Sequence, residues 1–298
     1  MSIGMTHSVA LQGLAGNLIE IEVDIADGIP GFTLLGLPDA ALSESRDRVR
    51  AALSNCQEPW PNKKVTVSLS PAWLPKSGSG FDLSIAIALL IAQHSLPQEP
   101  FHDTIILGEL SLDGKVRAIQ GVLPALISAF QQGIRRAIIP FANRAEAKLL
   151  PDMAIIEVCS LHEVTQWARE GVLPTFAELD LEISLPGEEL DFADVAGQSK
   201  ARRAAEIAAS GGHHLLLIGP PGAGKTMIAS RIPTILPALT TEEALEVTAV
   251  HSISGGFSSR SPMSRQAPIV APHHTASRVA IVGGGSYIIK PGACSLAH

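Results

Sequence analysis

Charged residues are scarce in this 298-residue chain, at 17%, whereas hydrophobic residues make up 46%. The formal net charge of −7 and the isoelectric point near 5.8 mean that no general excess of positive charge would draw the chain onto nucleic acid or an anionic membrane. Any contact with DNA is therefore expected to be local. At this length the chain has room for about two domains, each large enough to bury a core.

Cysteine is also rare. Cys56, Cys159 and Cys294 lie far apart without C-x-x-C spacing, which favours reduced thiols in a cytosolic protein over a disulfide framework or a zinc site. No Lys or Arg precedes Arg46, so the basic segment of a secretory signal is missing. The most apolar stretch, residues 83–93, is shorter than the roughly 20 residues of a membrane helix and predicts a buried helix. We expect a cytoplasmic protein with no membrane partner.

The hydrophobic pattern predicts an α/β chain of two domains, with a front domain of the α+β type. Early in the front domain, residues 8–28 alternate between polar and apolar with a period of two, which predicts a strand pair with one solvent-facing side. Short strands and helices follow up to residue 171, the end of the first predicted domain, 1–171. Residues 172–190 are acidic and punctuated by Pro and Gly, and we expect a linker there. Residues 191–298 form the second predicted domain.

The second domain contains the stretch GPPGAGKT, which matches the phosphate-loop pattern G-x-x-x-x-G-K-[ST] in full. In such a loop, glycines let backbone N–H groups curl around the β-phosphate, the lysine neutralises the β/γ oxygens, and the hydroxyl of Thr226 is offered to Mg²⁺. Residues 213–218 predict a strand before the loop, and residues 226–232 predict a helix after it. We therefore expect ATP and Mg²⁺ as ligands. The expected binding residues are those of the motif: Gly219, Pro220, Pro221, Gly222, Ala223, Gly224, Lys225 and Thr226.

Hydrolysis needs a further acidic group that positions Mg²⁺ and the attacking water, usually an Asp-Glu pair at the end of an apolar strand. The only acidic residues after Thr226 are Glu242, Glu243 and Glu246, all within one predicted helix. Our interpretation of these three is a solvent-facing or helix-start role. No residue of this chain is therefore assigned to catalysis.

The second domain resembles the Mg-chelatase-like AAA+ ATPases of the YifB/ComM type. Residues 191–255, from DFADVAGQSK to AVHSISG, and residues 271–298, from APHHTAS to PGACSLAH, carry this resemblance, which extends over essentially the whole chain. In such proteins the stretch resembling PGACSLAH is followed by the Walker B strand with its Asp-Glu, then sensor residues, an arginine finger and a helical lid. The chain thus resembles the N-terminal part of a family member, with an incomplete P-loop AAA+ domain.

This resemblance implies that the full-length parent forms a hexameric ring and is an ATP-driven motor on single-stranded or branched DNA. In a complete ring, Tyr287 and Lys290 could touch a threaded strand by stacking and charge. Two alternatives remain open: a non-hydrolysing nucleotide-binding scaffold, and the motor subunit of a metal chelatase. The front domain argues against the latter, because the chelatase motor lacks it. We expect this chain to bind ATP weakly and not to turn it over.

The front domain resembles the Lon-protease-like domain, which has the ribosomal S5-type fold. Laying the serine loop of Lon-type proteases on PKSGSGFD puts Gly80 at the nucleophile position, and laying their lysine helix on this chain puts Leu123 at the base position. Glycine has no hydroxyl and leucine cannot accept a proton, so the catalytic dyad is absent. Ser77, Ser79 and Lys115 lie nearby but out of register. We expect a scaffold or oligomerisation role, and not a peptidase.

The resemblance also predicts a difference in stability between the domains. In the AAA+ sheet that it implies, the strand at 213–218 lies between two strands that are not in these 298 residues, so its backbone groups would lack ladder partners. We expect limited proteolysis to cut residues 190–298 faster than residues 1–170. Equal resistance of the two parts would contradict this expectation.

Overall fold

The computed structural model describes residues 3–176, 190–257, 263–285 and 290–297. The chain divides into two units, one with residues 1–178 and 252–256, the other with residues 179–251 and 257–298.

The first unit is built on short strands joined by helices. Its strands are Ile3–Gln12 (β1), Ala15–Ala26 (β2), Gly31–Leu35 (β3), Lys64–Ser70 (β4), Thr104–Ile106 (β5), Glu109–Leu110 (β6), Val116–Arg117 (β7), Arg136–Pro140 (β8) and Ala154–Val158 (β9). Its α-helices are Ala40–Ser43 (α1), Ser45–Asn55 (α2), Asp82–Ala92 (α3), Val122–Gln131 (α4), Arg144–Ala147 (α5) and Leu161–Glu170 (α6). Single 3₁₀ turns lie at Glu99–Phe101 and Phe141–Asn143.

Seven of these strands form one mixed sheet in the order β3-β4-β2-β1-β5-β8-β9. The neighbours β1 and β2 pair antiparallel, as do β2 and β4, whereas β3 with β4 and the pairs among β1, β5, β8 and β9 are parallel. The short strands β6 and β7 form a separate antiparallel ribbon. The unit is therefore a mixed α/β fold in which parallel pairs predominate.

The polar and apolar residues that alternate with a period of two in the sequence lie on opposite faces of this sheet. On β2, Ile19, Ile21 and Val23 are fully buried, whereas the alternate residues Glu20 and Glu22 are only partly buried. The predicted strand pair with one polar side is confirmed by the β1–β2 hairpin.

The central strands β5 and β8 are buried on both faces, as parallel strands covered by helices usually are. Ile106 and Ile138 belong to the core under α3, and their neighbours Ile105 and Ile139 belong to the core under α4. The sheet is thus covered by helices on both sides in this region.

Every residue of α3 is buried, which confirms the buried helix predicted from residues 83–93. Strand β1 passes so close to this helix that a Cβ on Gly4 would lie 2.0 Å from the backbone oxygen of Ala88. Among the described residues, no helix is long and apolar enough to cross a membrane.

A buried ion pair fixes the start of α3. Arg48 on α2 donates from Nε to Oδ2 of Asp82 at 2.6 Å and from Nη2 to Oδ1 at 3.0 Å, and the backbone N–H of Leu110 donates to the same carboxylate at 3.3 Å. Burial is the largest influence on this carboxyl and raises the pKa of Asp82 to about 6, although the hydrogen bonds from Arg48 act in the opposite direction. Asp82 therefore links α2, α3 and β6.

The raised pKa of Asp82 predicts a pH-dependent stability of the first unit. Between the ordinary value of 3.8 and about 6, the folded state holds more protons than the unfolded state, so the free energy of unfolding falls as the pH rises. Relative to Asp82→Asn, we expect the free energy of unfolding to decrease by about 3 kcal/mol between about pH 3 and pH 7. Denaturant titrations followed by tryptophan fluorescence report this unit, since Trp60, Trp73 and Trp167 all lie in it. A constant difference between the two proteins would refute the assignment.

In the remaining part of the chain, where it is described, the regular secondary structure is mainly helical. Its α-helices are Ser199–Gly211 (α7), Lys225–Ala229 (α8), Thr241–Ser254 (α9), Arg278–Val282 (α10) and Ala293–Leu296 (α11), and its strands are Gly283–Gly284 (β10) and Lys290–Pro291 (β11), which pair antiparallel. Single 3₁₀ turns lie at Phe192–Asp194 and Ile232–Ile235. A small apolar core joins the first of these turns to α7 and α8 through Phe192, Val195, Ala205 and Ile228.

Candidate phosphate-binding loop

The segment before the loop alternates in burial but is not a strand. Leu215 and Leu217 pack against the small core around Phe192 and Ile228, whereas Leu216 and Ile218 are 80% and 86% exposed. This alternation is that of an extended backbone. No described strand pairs with residues 213–218, so the prediction of a strand there is wrong. A strand depends on hydrogen bonds to a neighbouring strand, which the local sequence pattern does not provide.

The loop itself turns at two glycines. Gly222 has φ +80° and Gly224 has φ +77°, both in the left-handed region that favours glycine. Gly224 caps α8, and the N–H of Ala223 donates to the carbonyl of Pro220 at 3.3 Å. A Cβ on Gly222 would meet no described atom within 4 Å, so the space beside it is open.

The side chains of the motif lie at the start of α8. Lys225 Nζ donates to the carbonyl oxygens of Gly219 and Pro220, each at 2.8 Å. The ammonium group thus lies inside the curve of its own loop, and a phosphate oxygen would compete for its donors. Thr226 is exposed in the first turn of α8. Pro221, the remaining proline of the motif, is exposed at the turn.

One contact to the loop was not predicted from the sequence. Gln198 has a left-handed backbone (φ 49°) directly before α7, and its Nε2 donates to the carbonyl of Ala223 at 3.2 Å. No spacing or periodicity relates residue 198 to residue 223. The contact positions the loop relative to α7.

The acidic residues after the loop have the structural roles that the sequence suggested. The carboxylate of Glu243 accepts hydrogen bonds from the N–H of Thr240 at 2.8 Å and from its hydroxyl at 2.9 Å. The hydroxyl of Thr240 in turn accepts from the N–H of Glu243 at 3.2 Å, which completes a capping box at the start of α9. Glu242 and Glu246 are exposed on the same helix.

The resemblance to Lon proteases assigns the dyad positions to Gly80 and Leu123, which are neither a nucleophile nor a base. Leu123 is fully buried at the start of α4, and its N–H donates to the Glu146 carboxylate at 3.0 Å. The hydroxyl of Ser79 donates to Glu109. Lys115, which is exposed, pairs with Asp113 at 3.0 Å. The nearby serine and lysine therefore have separate partners.

The residues proposed to touch DNA are only partly described. Lys290 is exposed in β11, opposite Gly284 of β10. Tyr287 lies outside the described residues. Strands β10 and β11, on either side of residues 286–289, pair antiparallel.

Two family models match this chain. The model "Magnesium chelatase, subunit ChlI" matches residues 191–298, which include the phosphate loop. The model "Subunit ChlI of Mg-chelatase" matches residues 21–143 in the first unit.

Several curated proteins are similar over the whole chain. Competence protein ComM of Haemophilus influenzae is 42% identical over 301 residues, and protein YifB of Escherichia coli, itself uncharacterized, is 42% identical over 303 residues. An uncharacterized protein of Mycobacterium tuberculosis is 49% identical over 298 residues. The alignments cover 100% of this chain but only 58–59% of these relatives.

A more distant similarity connects part of the chain with Lon proteases. Lon protease of Solibacter usitatus is 27% identical over 203 residues, which cover 63% of this chain and 25% of that protein. Lon protease 1 of Thermus thermophilus is 28% identical over 171 residues, or 55% of this chain and 21% of that protein.

Proposed function

Since this chain belongs to the Mg-chelatase-like proteins of the YifB/ComM type, we propose that its second domain, residues 191–298, binds ATP and Mg²⁺ at residues 219–226. The observation that carries this proposal is the loop backbone, which turns through left-handed glycines at 222 and 224 and ends with Lys225 directed into its curve. Open space beside Gly222 leaves room for a phosphate group.

Residues 222–226 have the main parts in this proposal. The backbone N–H groups from Gly222 to Thr226 would surround the β-phosphate, Lys225 would exchange its two carbonyl partners for phosphate oxygens, and Thr226 would hold Mg²⁺. ATP with Mg²⁺ supplies a bond whose hydrolysis can drive a conformational change. Within residues 227–298 the acidic residues are Glu242, Glu243 and Glu246, with the capping and surface positions described above, so the proposal for this chain is binding without turnover.

For the full-length parent we propose a ring-forming, ATP-driven DNA motor. One support is the similarity to competence protein ComM. The other is charge: residues 191–298 contain nine Lys or Arg and six Asp or Glu, an excess of positive charge, whereas the whole chain has a net charge of −7. Lys290 is one of the exposed cations. In this proposal, residues 191–298 are the first part of an AAA+ domain, residues 172–190 a linker, and residues 1–171 a scaffold of the Lon-like, S5-type fold without peptidase activity.

A metal-chelatase motor is the second candidate, and the names of both matching family models favour it. The similarity to ComM and YifB argues against a metal-chelatase motor, because it extends over the first unit as well as the second. A non-hydrolysing scaffold is the third candidate, and for the 298-residue chain it agrees with the absence of an acidic pair after Thr226 in the sequence.

The cytoplasm remains the proposed location, on the basis of three separate free cysteines.

Replacing Lys225 tests the binding site. Because a hydrogen bond to a charged group contributes about 1.5–3 kcal/mol, we expect Lys225→Ala to weaken ATP binding roughly tenfold to a hundredfold, measured by equilibrium dialysis with labelled ATP. Lys200→Ala, which removes an exposed lysine from α7, is the matched control and should bind ATP as the unmodified chain does. Equal affinities of all three proteins would exclude residues 219–226 as the site.

Phosphate release tests the absence of turnover. We expect the unmodified chain with ATP and Mg²⁺ to release no more phosphate than Lys225→Ala, with or without single-stranded DNA, because no acidic pair is available to orient water. Release that DNA stimulates and that Lys225→Ala abolishes would show that the catalytic carboxylates are present after all.

A further inference from the structure

Gln198 contacts the phosphate loop from outside the motif. Its Nε2 donates to the carbonyl oxygen of Ala223 at 3.2 Å, and both residues belong to the second unit. A Cβ on Gly224 would lie 4.0 Å from the same nitrogen. The side-chain amide of Gln198 therefore reaches the peptide group that joins Ala223 to Gly224.

The backbone of Gln198 has a conformation that favours glycine. It is left-handed, with φ 49° and ψ 36°, directly before α7. Its carbonyl accepts the N–H of Arg202 at 2.9 Å at the start of that helix. The side chain of Arg202 donates to the carbonyl of the buried Val195 at 3.2 Å. A non-glycine residue that is held in this conformation points to a function of its side chain, because such strain concentrates at ligand sites.

The peptide groups on either side of this contact are held by the backbone of the loop and of α8. The N–H of Ala223 donates to the carbonyl of Pro220 at 3.3 Å. The carbonyl of Gly224 accepts the N–H of Ile228 at 3.0 Å. Turning over the peptide between Ala223 and Gly224 would reverse the sign of φ at Gly224, which is +77° here, and glycine allows both signs. The hydrogen bond from Gln198 favours one of the two orientations.

The orientation that Gln198 favours also directs an N–H group. Because a peptide group is planar and trans, the N–H of Gly224 points in the opposite direction to the carbonyl of Ala223. In a phosphate loop, successive N–H groups converge on the β-phosphate. A peptide that turned over would present a carbonyl oxygen in place of the N–H, and two electronegative oxygens would then repel each other.

We propose that Gln198 is a positioning residue for the triphosphate, which holds the carbonyl of Ala223 so that the N–H of Gly224 faces the β-phosphate. This inference rests on the proposed ATP site at residues 219–226. It differs from a direct contact with the nucleotide, since the amide acts through a backbone carbonyl. Loss of the amide should therefore weaken the binding of every ligand that carries the β-phosphate, whether or not a base is attached.

Calorimetric titrations with ATP and with inorganic tripolyphosphate, each with Mg²⁺, test this inference. Gln198→Met keeps the length of the side chain but has no donor. We expect it to weaken the binding of both ligands by the same factor, roughly threefold to tenfold, as for the loss of one neutral hydrogen bond. Gln198→Gly suits the left-handed backbone but also lacks the amide, and it should weaken both as well. The matched control is Gln166→Met, which removes a glutamine hydrogen bond to Glu170 in the first unit and should bind both ligands normally.

The carbonyl resonance of Ala223 gives a second measurement, which needs no nucleotide. In a chain labelled with ¹³C at alanine carbonyls and ¹⁵N at glycines, the Ala–Gly peptides are those at 15–16, 196–197 and 223–224. The Ala223 signal can then be assigned by its loss in Ala223→Ser. We expect it to move upfield in Gln198→Met, because the carbonyl loses a hydrogen bond, while the 15–16 signal stays in place.

Three results would overturn the proposal. If Gln198→Met weakens ATP binding but leaves tripolyphosphate binding unchanged, residue 198 acts through the base. Normal binding by Gln198→Gly would show that the amide is dispensable, and an Ala223 signal that does not move would show that the hydrogen bond is absent. If the unmodified chain binds neither ligand, the proposed ATP site is refuted, whereas the Ala223 signal still decides whether Gln198 holds the peptide.

Discussion

The backbone turns left-handed at Gly222 and Gly224, and the geometry of the candidate nucleotide site depends on those two turns. Any other residue at these φ values would be strained, since a Cβ is disfavoured there. The turns direct Lys225 back towards the carbonyls of Gly219 and Pro220. They also place the first turn of α8 against the small core through Ile228. The position of the ammonium group thus follows from backbone conformation, with the apolar core holding the helix that carries it.

The candidate site could be predicted from the sequence because its residues are contiguous, and a local motif needs no tertiary information. What the motif could not provide were the contacts made across the fold. Gln198 reaches Ala223 through a single hydrogen bond between segments 25 residues apart, and no pattern in the sequence indicates it. The segment 213–218 is a second case in which the local sequence does not predict a contact with another part of the chain. The continuous apolar run from Leu215 to Ile218 does not show which side chains are buried, and strand pairing depends on residues elsewhere in the chain.

The first unit contains the β1–β2 hairpin and the buried helix that the hydrophobic patterns predict, because the burial of side chains determines both the pattern in the sequence and the element in the structure. The strand order β3-β4-β2-β1-β5-β8-β9 could not be read in this way, since alternation shows which face is buried and not which strand is adjacent. Ionic groups inside the core are equally hidden. Lys76 is fully buried and donates to the carbonyls of Leu69 and Pro71, and burial lowers the pKa of its ammonium group.

Both units contain an uncharged extended segment with exposed apolar side chains, but they differ in how firmly the backbone is held. Residues 213–218 are positioned by Leu215 and Leu217 packing against the small core, with no described ladder on either side. Strand β3 is hydrogen-bonded along its whole length to β4, which in turn pairs with β2. The difference follows from hydrogen bonding, because the ladder to β4 orders every residue of β3, whereas the packing of Leu215 and Leu217 holds 213–218 through two side chains.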